Sequence, residues 1–228
     1  MDTLQREFEA AWAQFQTIDS LRLIPDTLES EWTRGRESYL AFLVRIDDTS
    51  AVTHLRGLVR HIERIAGVEP YPEDYWHITI KGVGFEVPLA ARTEDVPTSS
   101  LQRVADAARS VFAHEPRFDA RIGLAGAFPE VVFAEVWDSL PVRVLNRRLL
   151  DSVPDLIRYP FDGPTFLPHV SIARFASNEG LPHLKKALFR LREEAPGPTF
   201  AVREIHLIRA RLSESGPSFE TIETYHLK

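Results

Sequence analysis

The sequence predicts a bilobal α+β protein in which two similar halves face each other across a central cleft, with the helices on the outside. Two observations lead to this fold class. The order strand, helix, histidine-containing strand, helix, strand occurs twice along the 228 residues. The spacing also repeats, because 38 residues separate Tyr39 from His77 and the same 38 separate Val131 from His169. A chain that repeats one such unit is expected to build two sheets, each covered by helices on its outer face.

The first half contains five predicted elements. The apolar run YLAFLVRI (39–46) has the length of a buried strand, and a helical pattern follows over 51–66. The residues DDTS between them supply candidates for the N-cap of that helix. After a turn-rich break, YWHITIKGVGF (75–85) predicts the first histidine strand. A helix over 100–113 then leads to the strand FDARIGL (118–124).

The second half repeats these elements in the same order. VVFAEVW (131–137) predicts a strand, and a helix over 140–153 has a proline near its start. The second histidine strand lies within FLPHVSIARF (166–175). A helix over 180–194 leads to the strand FAVREIHLI (200–208), and the turn SESGP then predicts a closing hairpin strand.

The remaining residues form an N-terminal extension to this duplicated unit. Apolar side chains at Leu4, Phe8, Trp12 and Phe15 have the spacing of an amphipathic helix that lies on another surface. We therefore predict a helical extension over residues 1–38 and one bilobal domain over the rest of the chain. The predicted domain covers residues 39–228, with half-repeats at 39–124 and 131–211 and the closing strand at 217–228.

The two histidine strands each place an imidazole and a hydroxyl on the same face, because strand side chains alternate between faces. On strict alternation the polar face of the first strand carries Tyr75, His77, Thr79 and Lys81. The polar face of the second strand carries His169 and Ser171. One His-x-Ser/Thr motif is weak evidence in a chain with 8 histidines. Its recurrence at equivalent points of two repeats indicates a functional site rather than two core histidines.

Composition and charge exclude several classes of protein. The net charge of −6 argues against a protein that holds long nucleic acid through many phosphate contacts. The absence of cysteine excludes disulfides, thiolate metal sites and a cysteine nucleophile. His54 and His61 could share a helix face, but no further ligand accompanies them at suitable spacing, so we predict no metal site. No membrane span or signal peptide is visible, and we expect a cytoplasmic protein that does not bind membranes.

The motifs HITI and HVSI resemble the paired signatures of the two-histidine (2H) phosphoesterase superfamily. Within it, the chain is most similar to the RNA 2′,3′-cyclic phosphodiesterases, which are also called 2′-5′ RNA ligases. The resemblance spans residues 39–228 and implies two mainly antiparallel sheets, pseudo-two-fold symmetry and a central cleft. Residues 1–38 have no counterpart in the minimal fold of the family, and Ser171 stands where threonine is more usual.

The resemblance implies His77, Thr79, His169 and Ser171 as catalytic residues. Opening a 2′,3′-cyclic phosphate requires a base that activates water and an acid that protonates the leaving ribose oxygen, and imidazole suits both tasks. The two hydroxyls can donate hydrogen bonds to the phosphate oxygens. Similarity to the family suggests His169 as the base and His77 as the acid, although the symmetry makes the reverse plausible. This chemistry needs no cofactor or metal ion.

We expect the partner to be a nucleotide or an RNA terminus that bears a cyclic phosphate, bound by a monomer. Lys81 is a candidate phosphate contact, and Arg174 would reach the phosphate only if its strand bulges. Candidates for stacking on a base are aromatic: Tyr75, Phe166, Tyr159 and Phe161. Ligase activity would be a minor reversal of cleavage. The alternative function is a non-catalytic module that holds RNA ends or nucleotides in the same cleft.

Overall fold

The computed structural model of the chain describes residues 3–23, 33–138, 140–212 and 217–228. Within these ranges the chain forms five α-helices and ten strands. The helices are α1 (Thr3–Thr17), α2 (Thr49–Ile62), α3 (Leu101–Phe112), α4 (Pro141–Ser152) and α5 (Leu181–Leu191). The strands are β1 (Ser38–Arg45), β2 (Val68–Pro70), β3 (His77–Val87), β4 (Asp95–Pro97), β5 (Phe118–Ala127), β6 (Val131–Trp137), β7 (His169–Phe175), β8 (Thr199–Val202), β9 (Glu204–Arg211) and β10 (Ser218–His226).

The α+β class is confirmed, and the predicted elements follow one another in the expected order with one correction: the strand predicted over 200–208 is divided at Arg203 into β8 and β9, which lie towards opposite ends of the sheet. The strands are almost all antiparallel and follow the order β10-β9-β1-β3-β7-β6-β5-β8, with β2 against β7 and β4 parallel to β3. The two sheets expected from the sequence are joined into one curled sheet. The junction is a single pair, Ile78 of β3 with Val170 of β7. Most of the predicted turn at 213–217 lies outside the described residues.

Each lobe combines strands from both predicted half-repeats. We call β10-β9-β1-β3 the first lobe and β7-β6-β5-β8 the second lobe. The last strand of the first half-repeat, β5, pairs with β6 in the second lobe, and the last strand of the second half-repeat, β9, pairs with β1 in the first. The helices follow the same exchange, because α3 and α4 contact β10 and β3, whereas α2 and α5 contact β7 and β5. The two halves therefore interlock.

One apolar core runs beneath the helices of both lobes. Phe42, Ile78 and Ile80 contribute to it from the first lobe, and Val170 and Ile172 contribute from the second, all with no exposed surface. Each fully buried side chain of this kind contributes roughly 1.5–3 kcal/mol to folding. The continuity of the core explains why the two lobes form one structural unit.

The N-terminal helix packs against the second lobe, as its amphipathic pattern predicts. Leu4 and Phe8 are buried against Phe133 of β6, and Phe15 enters the main core. The C-terminal end of α1 is held by α5, where Lys185 Nζ donates to the carbonyl oxygens of Gln16 and Ile18 at 2.8 and 2.7 Å. In the described part of the chain, no helix combines the length and the apolar character needed to cross a membrane.

The start of α2 is stabilised by a side-chain cap. The carboxylate of Asp48 accepts hydrogen bonds from the backbone N–H groups of Ser50 and Ala51, at 2.9 and 3.0 Å. These N–H groups have no partner within the helix, so the carboxylate satisfies donors that would otherwise need water. The N-cap predicted within DDTS is therefore confirmed.

We expect Asp48→Ala to lower the free energy of unfolding by about 1 kcal/mol, because two N–H groups lose their acceptor. The matched control is Asp47→Ala, which removes an exposed carboxylate one residue before the cap and should change stability by less than about 0.5 kcal/mol. Urea denaturation followed by circular dichroism measures both values. Equal losses in the two variants would contradict the capping role.

Candidate active site

The junction of the two lobes brings the four motif residues together. Ile78 and Val170 pair across it and point into the helix-covered core, where neither is exposed. Side chains alternate along a strand, so the residues on either side of this pair point to the opposite face, which lines the cleft. These flanking residues are His77, Thr79, His169 and Ser171. The cleft face of the junction therefore carries two imidazoles and two hydroxyls around one point of contact.

The backbone fixes the orientation of both imidazoles in the same way. Nδ1 of His77 lies 2.6 Å from the carbonyl oxygen of Tyr75, and Nδ1 of His169 lies 2.7 Å from that of Leu167. A carbonyl oxygen can only accept, so each Nδ1 carries a hydrogen and donates it. Each Nε2 is then the atom left for a ligand, free to accept a proton or to donate one.

Aromatic rings hold each imidazole edge-on. The ring centroid of Phe219 lies 5.2 Å from that of His77 at an angle of 81°, and Phe128 lies 5.3 Å from His169 at 82°. Phe133 adds a second contact to His169 at 5.4 Å. The T-shaped contacts of Phe219 and Phe128 have a geometry that neighbouring rings favour. The two lobes therefore support their histidines by equivalent means.

Burial lowers the pKa of both imidazoles and so favours their neutral forms in the free protein. It lowers the pKa of His77 to about 4, and repulsion from Arg45 and from the protonated form of His169 adds to this effect, whereas the hydrogen bond to Tyr75 opposes it. Burial also lowers the pKa of His169, against the hydrogen bond to Leu167. A bound phosphate anion would raise both pKa values, because an opposite charge favours the protonated form.

Two matching bulges change the direction of the side chains beyond the motifs. Thr79 pairs with Leu43 but Lys81 pairs with Phe42, so Ile80 is an extra residue in β3. In the same way Ser171 pairs with Phe133 but Ala173 pairs with Val132, which makes Ile172 the extra residue of β7. An extra residue shifts the side chains that follow it to the opposite face, as far as any further bulge in the strand. Strict alternation therefore holds only as far as Thr79 and Ser171.

Lys81 does not face the cleft, which corrects the sequence prediction. Its partner Phe42 packs against Phe112 in the helix-covered core. The Lys81 side chain has no exposed surface, and its Nζ lies 3.0 Å from Asp162 Oδ2 and 4.5 Å from the centre of the Tyr159 ring. Burial lowers the pKa of Lys81. The ammonium group holds the loop before β7 through this ion pair with Asp162, and it is not available to a phosphate in the cleft.

Arg174 does reach the cleft face, because the bulge at Ile172 turns it. It pairs with Val131, which packs on the cleft side of the second lobe with Phe133. The guanidinium donates to Glu69 at 2.9 Å. Burial raises the pKa of the Tyr75 hydroxyl, and the positive charge of Arg174 opposes that rise.

Of the aromatic candidates, the structure brings only Tyr75 to the histidines. Tyr75 belongs to the site, since it stacks on Tyr71 at 4.2 Å and its ring centroid lies 5.1 Å from that of His77. Phe166 packs partly buried against the core, so the structure does not bring it to the histidines. Tyr159 covers Lys81, and Phe161 is 68% exposed.

Two charged residues beside the histidines were missed by the sequence analysis. Arg45 pairs with His77, and Glu135 pairs with His169. Each is the one charged residue in its apolar strand, YLAFLVRI or VVFAEVW. That interruption of a buried run is the signal that could have identified them.

The two charges make the otherwise symmetric site electrically unequal. Arg45 remains partly exposed, with a hydrogen bond of 3.2 Å to the hydroxyl of Thr221. Glu135 is 2% exposed and accepts hydrogen bonds from Arg192 at 2.7 Å and from the indole of Trp137 at 2.9 Å. The positive charge therefore faces the cleft beside His77, whereas the negative charge beside His169 is neutralised internally. Among the described residues, no three histidine or carboxylate side chains gather in a way that could hold a metal ion.

Comparison with known proteins agrees with this geometry. Residues 48–214 match the family model of the 2′-5′ RNA ligase superfamily. The fold is similar to that of the protein TT0787 of Thermus thermophilus, with a TM-score of 0.63 and 20% identity over 83% of this chain and 97% of that one. It is also similar to E. coli LigT in complex with 3′-AMP, with a TM-score of 0.58 and 18% identity over 84% and 99% of the two chains.

A third crystal structure, of a phosphoesterase, gives a TM-score of 0.57 and 15% identity over 84% of this chain and 99% of that one. No curated protein sequence matches the chain. The family match covers most of the chain and includes both histidine motifs. The chain belongs to the 2′-5′ RNA ligase superfamily, the two-histidine phosphoesterases that its HITI and HVSI motifs predict.

Proposed function

We propose that the protein hydrolyses the 2′,3′-cyclic phosphate of a nucleotide or of an RNA terminus. The observation that carries this proposal is the pair of imidazoles at the junction of the lobes, His77 and His169. Each has its Nδ1–H bonded to the backbone and its Nε2 available, and each is followed two residues later by a hydroxyl on the same face. A site that only bound phosphate would have no need for two neutral imidazoles.

The reaction divides proton transfer between the two lobes. In the assignment that the family resemblance suggests, Nε2 of His169 takes a proton from water while the water oxygen attacks phosphorus. With the phosphate anion bound, His77 is protonated on both ring nitrogens. The bond from phosphorus to the 3′ oxygen breaks, and that oxygen takes the proton from Nε2 of His77, which leaves a 2′-phosphate. Thr79 and Ser171 donate hydrogen bonds to the non-bridging oxygens as their negative charge grows. In the ligase reaction the 5′ hydroxyl of a second RNA would replace water as the nucleophile on phosphorus, so that breaking the bond to the 3′ oxygen leaves a 2′-5′ linkage.

The charges around the cleft support an anionic nucleotide as the substrate. Arg45 and Arg174 both lie on the cleft face, and aromatic rings of Tyr75 and Phe219 border His77. E. coli LigT has been crystallised with 3′-AMP and with ATP, which makes a nucleotide a reasonable ligand for a protein of this fold. One chain supplies both histidines, so the proposal requires only a monomer. We place this activity in the cytoplasm.

Replacing either histidine should remove most activity, because one imidazole cannot be acid and base in the same turnover. We expect His77→Ala and His169→Ala each to lower kcat by at least about 100-fold, with adenosine 2′,3′-cyclic phosphate as the substrate. Thr79→Ala and Ser171→Ala should each lower kcat by about tenfold to a thousandfold. The control is His61→Ala, on the exposed face of α2, which should keep the wild-type rate.

Near-normal turnover by either histidine variant would refute the paired roles. The same assay in EDTA should give an unchanged rate, and a loss restored by a divalent ion would refute the metal-free scheme. A wild-type protein that binds nucleoside cyclic phosphates, cyclic-phosphate RNA ends and 2′-5′ dinucleotides but turns over none of them would instead be a binding module.

The pH profile of an Arg45 variant should identify the acid. The positive charge of Arg45 lowers the pKa of His77, so Arg45→Gln raises that pKa. If His77 is the acid, it loses its proton at a higher pH in the variant, and the basic limb of the kcat profile moves to higher pH. If His77 is the base, the acidic limb moves to higher pH instead.

The matched control for this measurement is Arg60→Gln, which removes an exposed guanidinium from α2 and should leave both limbs in place. A downward shift, or no shift of either limb in Arg45→Gln, would show that Arg45 does not act on His77.

A further inference from the structure

Helix α1 lies on the cleft face of the second lobe, next to the catalytic strand. Phe133 of β6 pairs with Ser171 of β7, so their side chains point to the same side of the sheet. Leu4 and Phe8 of α1 pack on Phe133, which is left only 2% exposed. The centre of the Phe133 ring is in turn 5.4 Å from that of His169. The helix therefore covers the surface beside His169 that an open cleft would present to a ligand.

Two glycines in β5, Gly123 and Gly126, leave space for α1 above the sheet. Gly126 of β5 lies opposite Phe133, and a Cβ there would come within 2.8 Å of the Phe133 ring. A Cβ at Gly123 would come within 2.6 Å of the Trp137 ring. The missing side chains let both rings lie against the sheet. This low surface leaves room for a helix on top of it.

Ion pairs hold α1 at two further points. Glu9 binds Arg192, the residue that neutralises the buried Glu135 beside His169. Glu7 binds Arg143, whose Nε also donates to the carbonyl oxygen of Phe166, three residues before His169. Through Arg192 the first anchor reaches Glu135, which pairs with His169, and through Arg143 the second reaches the backbone of the segment that leads into β7.

This helix lies outside the part of the chain that the family shares. The family match begins at residue 48, and the similar crystal structures leave about a sixth of this chain without a counterpart although they are themselves covered almost completely. α1 is therefore an addition to the matched region, which contains both histidine motifs.

We propose that α1 determines substrate length: it closes the second-lobe side of the cleft, so that the preferred substrate is a nucleoside cyclic phosphate rather than a longer RNA chain. This inference rests on the proposed function. The ligand keeps access to His169, Ser171 and Arg174 on β7 and to the aromatic rings of the first lobe. A polynucleotide would need the surface over β6 and β5, which Leu4 and Phe8 occupy.

The test compares two substrates on the full-length protein: adenosine 2′,3′-cyclic phosphate and an RNA oligonucleotide that ends in the same cyclic phosphate. The measured quantity is the ratio of kcat/KM for the oligonucleotide to that for the mononucleotide. This ratio does not depend on the fraction of active protein, because that fraction cancels. Phe8→Asp puts a charge into the apolar contact and should undock the helix. Its control is Ala10→Asp, which adds the same charge on the exposed face of α1.

We expect wild-type protein to favour the mononucleotide, and Phe8→Asp to raise the ratio about tenfold or more. Ala10→Asp should leave the ratio unchanged. If Phe8→Asp does not fold, Phe8→Ala decides the question, since it only opens space beside Phe133 and should raise the ratio about threefold. A wild-type preference for the oligonucleotide, or a ratio that Phe8 variants do not change, would overturn this inference and leave the proposed function intact. If the wild-type protein is inactive on both substrates, the result contradicts this inference and the proposed function alike.

Discussion

The single contact between Ile78 and Val170 is the constraint on which the site depends. Because these two residues pair, the strands of the two lobes meet with their apolar side chains in one core and their polar side chains in one cleft. Two motifs that are 92 positions apart in the chain thereby come to one place. The strands β3 and β7 separate on either side of this pair. The space between the two diverging lobes forms the cleft.

The sequence predicted the elements and the four motif residues, because these depend on local patterns: apolar runs, helical spacing and alternation along a strand. It could not predict the direction of Lys81 or Arg174. Each follows a bulge at an isoleucine, and an isoleucine looks the same in the sequence whether it is bulged or paired. The exchange of β5 and β9 between lobes was also hidden, since pairing between distant strands leaves no periodic signal.

The site combines equivalent support with unequal charge. Each imidazole donates a hydrogen bond to a backbone carbonyl oxygen, and each has a phenylalanine ring edge-on to it. The duplicated unit therefore positions the two imidazoles alike. Arg45 and Glu135 occupy matching places beside them but differ in sign, and Glu135 is neutralised by Arg192. A symmetric pair of histidines could exchange roles freely. The difference in charge gives each imidazole its own proton affinity, which is what separate acid and base roles require.

The exchange of strands between lobes has a consequence for synthesis on the ribosome. The first lobe begins with β1, yet Leu43 of that strand pairs with His206 of β9, near the other end of the chain. The second lobe needs only strands up to β8, so its sheet can close earlier. We therefore expect the half of the protein that is translated first to be the half that is completed last, with the edge of β1 unpaired until the C-terminal strands emerge.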